Sequence, residues 1–191
     1  MIKTVCVFCG SSSGRNPAYS ESAQKLGKEI AKQGLRLVYG GSHVGLMAAL
    51  SDAVLSSGGE VTGVITELLQ KKVGHQHLTK LYVVKDMHLR KMKMFNLSDA
   101  FIALPGGVGT FEEILEIMTW AQLGLHTKPF GFLNSAGYYN KLADFLDFTV
   151  DEGFLQPEYR NILSFEEDPE KLLQAIKDFR MPVIKKWTGL S

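Results

Sequence analysis

The chain has 191 residues, 45% of them hydrophobic and 21% charged, and its 21 lysines and arginines against 20 aspartates and glutamates leave a formal net charge of +1. One domain of that size buries about 70% of its unfolded surface, and the near-neutral balance gives no polyanion-binding face, so nucleic acid is not an expected partner. The N-terminal Met-Ile-Lys-Thr-Val enters a strand with no basic-then-apolar leader, and no run of 18 apolar residues occurs. The expectation is a cytoplasmic protein that touches no membrane.

Residues 3–9 read as a first strand, followed by the hydroxyl-rich loop Gly10-Ser-Ser-Ser-Gly14. Cys6 and Cys9 form C-x-x-C, but residues three apart on a strand point to opposite faces, which suits neither a metal chelate nor a redox pair. Pro17 opens a helix that runs to about Gln33, with Gly34 as its stop. Residues 35–39 form a second strand ending in Gly40-Gly-Ser42, and a helix through Leu46, Met47, Leu50 and Val54 follows. Residues 61–65 make a third strand, 66–77 are irregular or briefly helical, 81–84 make a fourth strand and 86–98 a helix. A fifth strand covers 100–104 and a sixth 129–133, with further helices over 138–152 and 168–179.

Strands recurring with helices between them predict a parallel sheet with right-handed crossovers. The expected fold is α/β, a Rossmann-like doubly wound sheet forming a single domain over 1–191, with a C-terminal helix and tail from about 168. Three loops rich in glycine leave the first, second and fifth strands at one carboxyl edge, where open α/β sheets bind ligands. A nucleotide-sized ligand there would touch Gly10, Ser11, Gly41 and the loop after the fifth strand.

That loop is the most informative stretch, Phe101-Ile-Ala-Leu-Pro-Gly-Gly-Val-Gly-Thr-Phe-Glu-Glu113. Pro105 stops the strand. Gly106, Gly107 and Gly109 can take positive φ and admit a ligand with no Cβ in the way. Thr110 stands where an N-cap belongs, so the free N–H groups and positive dipole end of the next helix face the turn and suit an anion. The same residues also fit a plain tight turn closed by a capping box between Thr110 and Glu113.

At the helical period, Phe111, Ile114, Leu115, Ile117, Met118 and Ala121 make an apolar arc and Glu112, Glu116 and Thr119 a polar stripe. Glu113 falls outside the stripe, between Ile117 and Trp120. A carboxylate leaving bulk water there needs a partner or a task.

On the preceding helix Arg90 is flanked by Met87, Met94 and Leu97. Its guanidinium is either a fork for phosphate or carboxylate or the wet head of a stem that covers apolar surface. His88 as a base and His75-Gln-His77 as a metal pair lack supporting carboxylate spacing, so no metal and no cofactor are expected. Gly40-Gly-Ser-His-Val-Gly45 and Gly107-Val-Gly-Thr-Phe-Glu112 both miss G-x-G-x-x-G, and no G-x-x-x-x-G-K-[ST] occurs. A mononucleotide or sugar phosphate fits better than a dinucleotide or ATP.

Pro105-Gly-Gly-Val-Gly-Thr-Phe-Glu-Glu113 together with Met87-His-Leu-Arg-Lys91 resembles the paired signature of the LONELY GUY family of cytokinin riboside 5′-monophosphate phosphoribohydrolases. The similarity runs from Val5-Cys-Val-Phe-Cys-Gly-Ser through Tyr39-Gly-Gly and Thr119-Trp-Ala-Gln-Leu-Gly124 to about Phe154. It implies hydrolysis of the N-glycosidic bond of AMP or its N6-prenylated relatives, with Arg90 and Glu113 as the catalytic pair. It further implies that Gly106, Gly107, Val108, Gly109 and Thr110 hold the phosphate, that Lys91 and Glu112 belong to the substrate site, and that the protein is a homodimer or larger assembly. Relatives carry the label lysine decarboxylase, but no lysine here sits in a recognisable cofactor-attachment context. Two positions depart from the family pattern: Leu89 replaces the usual glutamate, and Lys72 stands where many members have an acid. A non-enzymatic nucleotide or cofactor carrier, like the related molybdenum-cofactor carriers, would keep the phosphate loops without needing Arg90 and Glu113.

Overall fold

Short strands that are almost wholly apolar have to be covered on both faces, and β1 (Thr4–Phe8) and β5 (Ala100–Ala103) are buried along their whole length. The computed structural model describes residues 2–181. The remaining strands are β2 (Arg36–Tyr39), β3 (Val61–Thr66), β4 (Lys80–Val84), β6 (Phe130–Leu133) and β7 (Ser164–Glu166). All pair in parallel, in the order β4-β3-β2-β1-β5-β6-β7.

Among the described residues eight α-helices accompany the sheet: α1 (Pro17–Lys32), α2 (Gly45–Ser56), α3 (Glu67–Val73), α4 (Met87–Leu97), α5 (Val108–Gln122), α6 (Asn140–Asp151), α7 (Pro157–Asn161) and α8 (Pro169–Asp178). Alternate residues of one strand feed the two layers. Val5 and Val7 join the α1, α2 and α8 side with Leu26, Leu50 and Leu172. Cys6 and Phe8 join the α4, α5 and α6 side with Met94, Ile114 and Leu146. The two cysteines accordingly lie on opposite faces, Cys9 packing against the first cluster, and both are free thiols.

Local chemistry sets the helix ends. Asn16 accepts from the Ala18 N–H at 3.0 Å and Pro17 fills the first position of α1, while Gly34 at φ 66° ends that helix. Asp86 and Asp168 cap α4 and α8 through the N–H groups of Leu89 and Lys171. The doubly wound reading of the sequence is therefore the observed fold. The predicted C-terminal helix is α8, and the tail beyond residue 181 lies outside the described residues.

Two elements escaped the sequence reading, β7 and α7. Ser164-Phe-Glu166 is a three-residue edge strand, half-buried throughout, and offers no apolar run. The five residues of α7 are too few to show a helical period.

Strands β1 to β4 progress outward in one direction, and the chain then returns to the other side of β1 to lay down β5. This reversal opens a crevice between the carboxyl ends of β1 and β5. The two loops that leave it touch, Gly10 N–H donating to Pro105 O at 3.0 Å, and the start of α2 joins them through Leu46 N–H to Gly10 O at 3.1 Å.

Candidate active site

The crevice holds a cleft of about 610 Å³. On one side stand Gly107, Val108, Gly109 and Thr110 at the start of α5. Opposite them are Gly40, Ser42, Val44 and Met47, and Leu69 and Val73 of α3 with Met87 and Met94 of α4 add an apolar wall. Gly10, Ser11 and Glu112 also border it. Arg90 and Glu113 reach it from adjacent helices, so 23 residues of sequence separation collapse to one contact.

Arg90 is 8% exposed although it carries a charge. Its Nε donates to Val64 O at 2.9 Å and its Nη1 to Glu113 Oε1 at 2.8 Å. Its Nη2 lies so close to Gly40 that any Cβ there would overlap it, with Met47 Sδ 3.0 Å from the same point. A guanidinium bound on one edge to a strand carbonyl and on another to a carboxylate is fixed in orientation, as a planar fork allows and an ammonium would not. Of the two sequence readings for Arg90, the snorkelling stem is thereby set aside.

Glu113 is largely buried, with a side-chain exposure of 13%. Burial pushes its carboxyl above the ordinary glutamate value of 4.5, and the Arg90 charge pulls in the opposite direction. Arg90 occupies Oε1, and among the described residues Oε2 has no partner, which leaves it for water or a ligand in the cleft.

The turn before α5 corrects two expectations. The capping box does not form: α5 begins at Val108 with Gly107 as its cap, Phe111 N–H donates to Gly107 O at 3.1 Å, and no side chain caps the helix. Thr110 is already inside the helix and buried, and Glu113 turns to Arg90 because a buried cation is the stronger partner. The three glycines do not take positive φ either. Gly106 is required for close approach, since a Cβ there would overlap Thr110 Oγ1, whereas Gly107 and Gly109 face open space. The positive φ falls instead on the other two glycine loops, at Gly14 (72°) in the first and at Gly41 (74°) and Gly45 (54°) in the second. The first N–H groups of α5 are left uncapped beside the cleft.

Other predicted residues sit at its margins. Gly41 lies behind the wall against Ile65 and Val64, and Gly106 borders a second recess of about 320 Å³ with Gly10, Ser12 and Tyr19. Lys91 bridges α4 to α5, its Nζ 2.5 Å from Glu112 Oε1 and 3.0 Å from Glu116 Oε1. Burial opposes its charge, but the two carboxylates outweigh that and hold its pKa above the ordinary lysine value.

The sequence reading missed the apolar wall and two tyrosines. Tyr138 Oη donates to Gly106 O at 2.5 Å and Tyr139 Oη to Leu104 O at 2.6 Å, so the segment after β6 holds the glycine turn from behind. Tyr-Tyr after Gly137 was a visible signal, but its target 32 to 35 residues away was not.

A parallel, doubly wound sheet with a cleft at its switch point and a buried ion pair reaching that cleft defines an α/β protein of Rossmann-like type. Solved structures share that fold: a molybdenum cofactor binding protein from Rippkaea orientalis (TM-score 0.69, 21% identity, 93% of this chain and 96% of that one) and a molybdenum cofactor carrier protein from Chlamydomonas reinhardtii (TM-score 0.70, 20% identity, 93% and 96%). The family model described as "Possible lysine decarboxylase" matches residues 47–176. A cytokinin riboside 5′-monophosphate phosphoribohydrolase of Arabidopsis thaliana is 48% identical over 178 residues, covering 93% of this chain and 82% of that protein. A probable one of Oryza sativa subsp. japonica is 47% identical, covering 93% and 73%. The chain belongs to the LONELY GUY family.

Proposed function

We propose that this protein hydrolyses the N-glycosidic bond of AMP or of N6-modified, cytokinin-type riboside 5′-monophosphates, releasing the free base and ribose 5-phosphate. The observation that carries the reading is the Arg90–Glu113 pair, buried in the cleft beside the uncapped start of α5. Departure of the base leaves positive charge on the ribosyl carbon. A carboxylate fixed beside that carbon stabilises the charge and orients the attacking water. Glu113 offers Oε2 for this, while Arg90 holds Oε1 and keeps the side chain in place. The guanidinium is a permanent charge and an orienting fork, so it acts by position and field rather than by giving up a proton.

Gly107, Gly109 and the N–H groups of Val108, Gly109 and Thr110 suit the 5′-phosphate. Gly10, Ser11 and Ser42 complete the polar rim, and Met47, Leu69, Val73 and Met87 supply apolar surface for the base. We place Lys91 one step back: it holds Glu112 against the cleft margin and neutralises part of the negative charge around Glu113. The working form is proposed to be a homodimer in the cytosol, where nucleoside monophosphates are made and used. Among the described residues no helix is long and apolar enough to cross a membrane.

The carrier reading draws on fold likeness at 20–21% identity, which says nothing of chemistry, and it leaves the buried ion pair without a task. Incubation with AMP and with N6-isopentenyl-AMP, followed by chromatography of the base, tests the proposal. Free base should appear with the wild type and fall about a hundredfold or more with Glu113→Gln, which keeps shape but removes the anion. Wild-type turnover by that variant would remove Glu113 from the mechanism, and binding without any base release would favour the carrier.

A further inference from the structure

The sequence offered His75-Gln-His77 as a possible pair, but the fold separates those two rings and gives His75 other neighbours. His77 contributes only its backbone N–H, which donates to His75 Nδ1 at 3.1 Å. The Nε2 of His75 instead meets Asp52 Oδ1 at 3.2 Å, and the Nε2 of His43 meets Asp52 Oδ2 at 3.0 Å. The two rings stand edge to face with centroids 4.3 Å apart, and one ligand atom from each of the three side chains lies within 4.8 Å of the other two. His75 is 6% exposed, while His43 and Asp52 are half open to solvent.

We propose that His43, Asp52 and His75 form a binding site for a divalent transition-metal ion of the zinc class, outside the catalytic cleft. Two imidazole nitrogens and one carboxylate, with one side left open, match the donor set and count that such ions accept. Calcium or magnesium would want more oxygens. In a tetrahedron with bonds near 2.0 Å, ligand atoms stand about 3.3 Å apart, and each imidazole nitrogen already lies near that distance from one carboxylate oxygen of Asp52, His43 at 3.0 Å from Oδ2 and His75 at 3.2 Å from Oδ1. The half-exposed His43 ring can turn to adjust the remaining spacing.

The backbone holds the donors together before any ion arrives. His43 N–H donates to Val73 O at 2.8 Å, His75 N–H to Gly41 O at 3.0 Å, and Ser42 pairs with Gly74 as an antiparallel bridge. Two ligand-bearing loops are thus zipped to each other, with Asp52 on α2 closing the set. The proton balance is also defined. Because His75 Nδ1 accepts from His77, the neutral ring keeps its proton on Nε2. Metal binding at Nε2 moves that proton to Nδ1, which would then face the His77 N–H as a second donor, so the His77 amide must turn away to a water or another acceptor as the coordinate bond forms. None of the three residues borders the cleft, but Ser42, Val44 and Val73 beside them do, so an ion here would brace one cleft wall without entering the reaction.

The test uses the full chain without a histidine tag, titrated with Co2+ and Zn2+ by calorimetry and, for Co2+, by visible absorption. One ion per chain should bind with a micromolar or tighter Kd and a tetrahedral cobalt spectrum, while Mg2+ should not compete. His43→Gln, at a half-exposed position that folding tolerates, should weaken binding tenfold or more, and His75→Gln should do the same. His88→Gln, on the exposed side of α4, should leave it unchanged. The His77 amide resonance should shift on zinc addition. No saturable binding at millimolar ion, or binding that survives His43→Gln, would overturn the site.

Discussion

Glu113 shows how one side chain is read differently by its neighbours along the chain and by those in space. Next to Thr110 it completes a capping pattern; in the fold it is a buried acid facing a buried guanidinium. Its raised pKa sets the sign of two pH effects. For activity, the anion is the working form, so kcat/KM should climb with pH through a pKa above the ordinary glutamate value, later than an exposed glutamate would give. For stability, the folded state holds a proton that the unfolded chain has already lost between the ordinary value and the raised one. Stability should therefore fall as pH rises through that window and level off above it. Urea melts across acidic pH should show this slope, and Glu113→Gln should flatten it; a slope of opposite sign would contradict the assignment of burial as the dominant cause.

Gly40 carries the other residue-scale prediction. Its φ is not in the left-handed region, so alanine is allowed by the backbone, but the new methyl would overlap the Arg90 guanidinium. Gly40→Ala should displace Arg90 and with it Glu113, lowering kcat about tenfold or more. The melting temperature should drop only a few degrees, since a long side chain can yield at its end. A variant with wild-type kcat would mean that the fixed orientation of Arg90 is not needed.

At the scale of elements, α5 is the central device. It starts at a glycine and its first N–H groups lack a side-chain cap, so a phosphate there would gain both hydrogen bonds and the favourable end of the helix dipole. Remote binding energy of that kind positions the scissile bond. Adenosine, which lacks the phosphate, should show kcat/KM at least a hundredfold below AMP in the same base-release assay. Equal values would give the glycine turn a different role. The second link between elements is Lys91, which ties α4 to α5 through Glu112 and Glu116 and so keeps Arg90 and Glu113 on facing helices.

For the whole molecule, the family resemblance implies a homodimer, and the broad apolar face of α5 with Trp120 is one surface that could form it. The structure spends that surface internally, with Trp120 half-buried edge-on against Phe95 at 5.1 Å. Exposed apolar side chains instead gather on α4, as Met87, Leu89 and Met92, and on α6, as Phe145 and Phe148, with Phe154 88% exposed beyond it. Apolar surface of this kind favours burial against a second copy. Light scattering at micromolar concentration should report twice the chain mass, and Leu89→Glu or Phe148→Asp should shift it toward the monomer on whichever helix forms the contact. A monomeric wild type would overturn the dimer.

The sequence by itself determined the layer order, the almost wholly apolar strands, the glycine stops and the carboxyl-edge loops, because each follows from interactions within a few residues and from the period of the local element. It also placed Glu113 off its polar stripe, since helical projection needs only the spacing. Only the tertiary structure decided that Arg90 faces Glu113, that α5 starts two residues before Thr110, and that His75 belongs with His43 and Asp52 rather than with His77. Those outcomes depend on which groups share a buried volume after the sheet reverses between β1 and β5. A buried charge selects its partner by proximity in space, which local spacing does not encode.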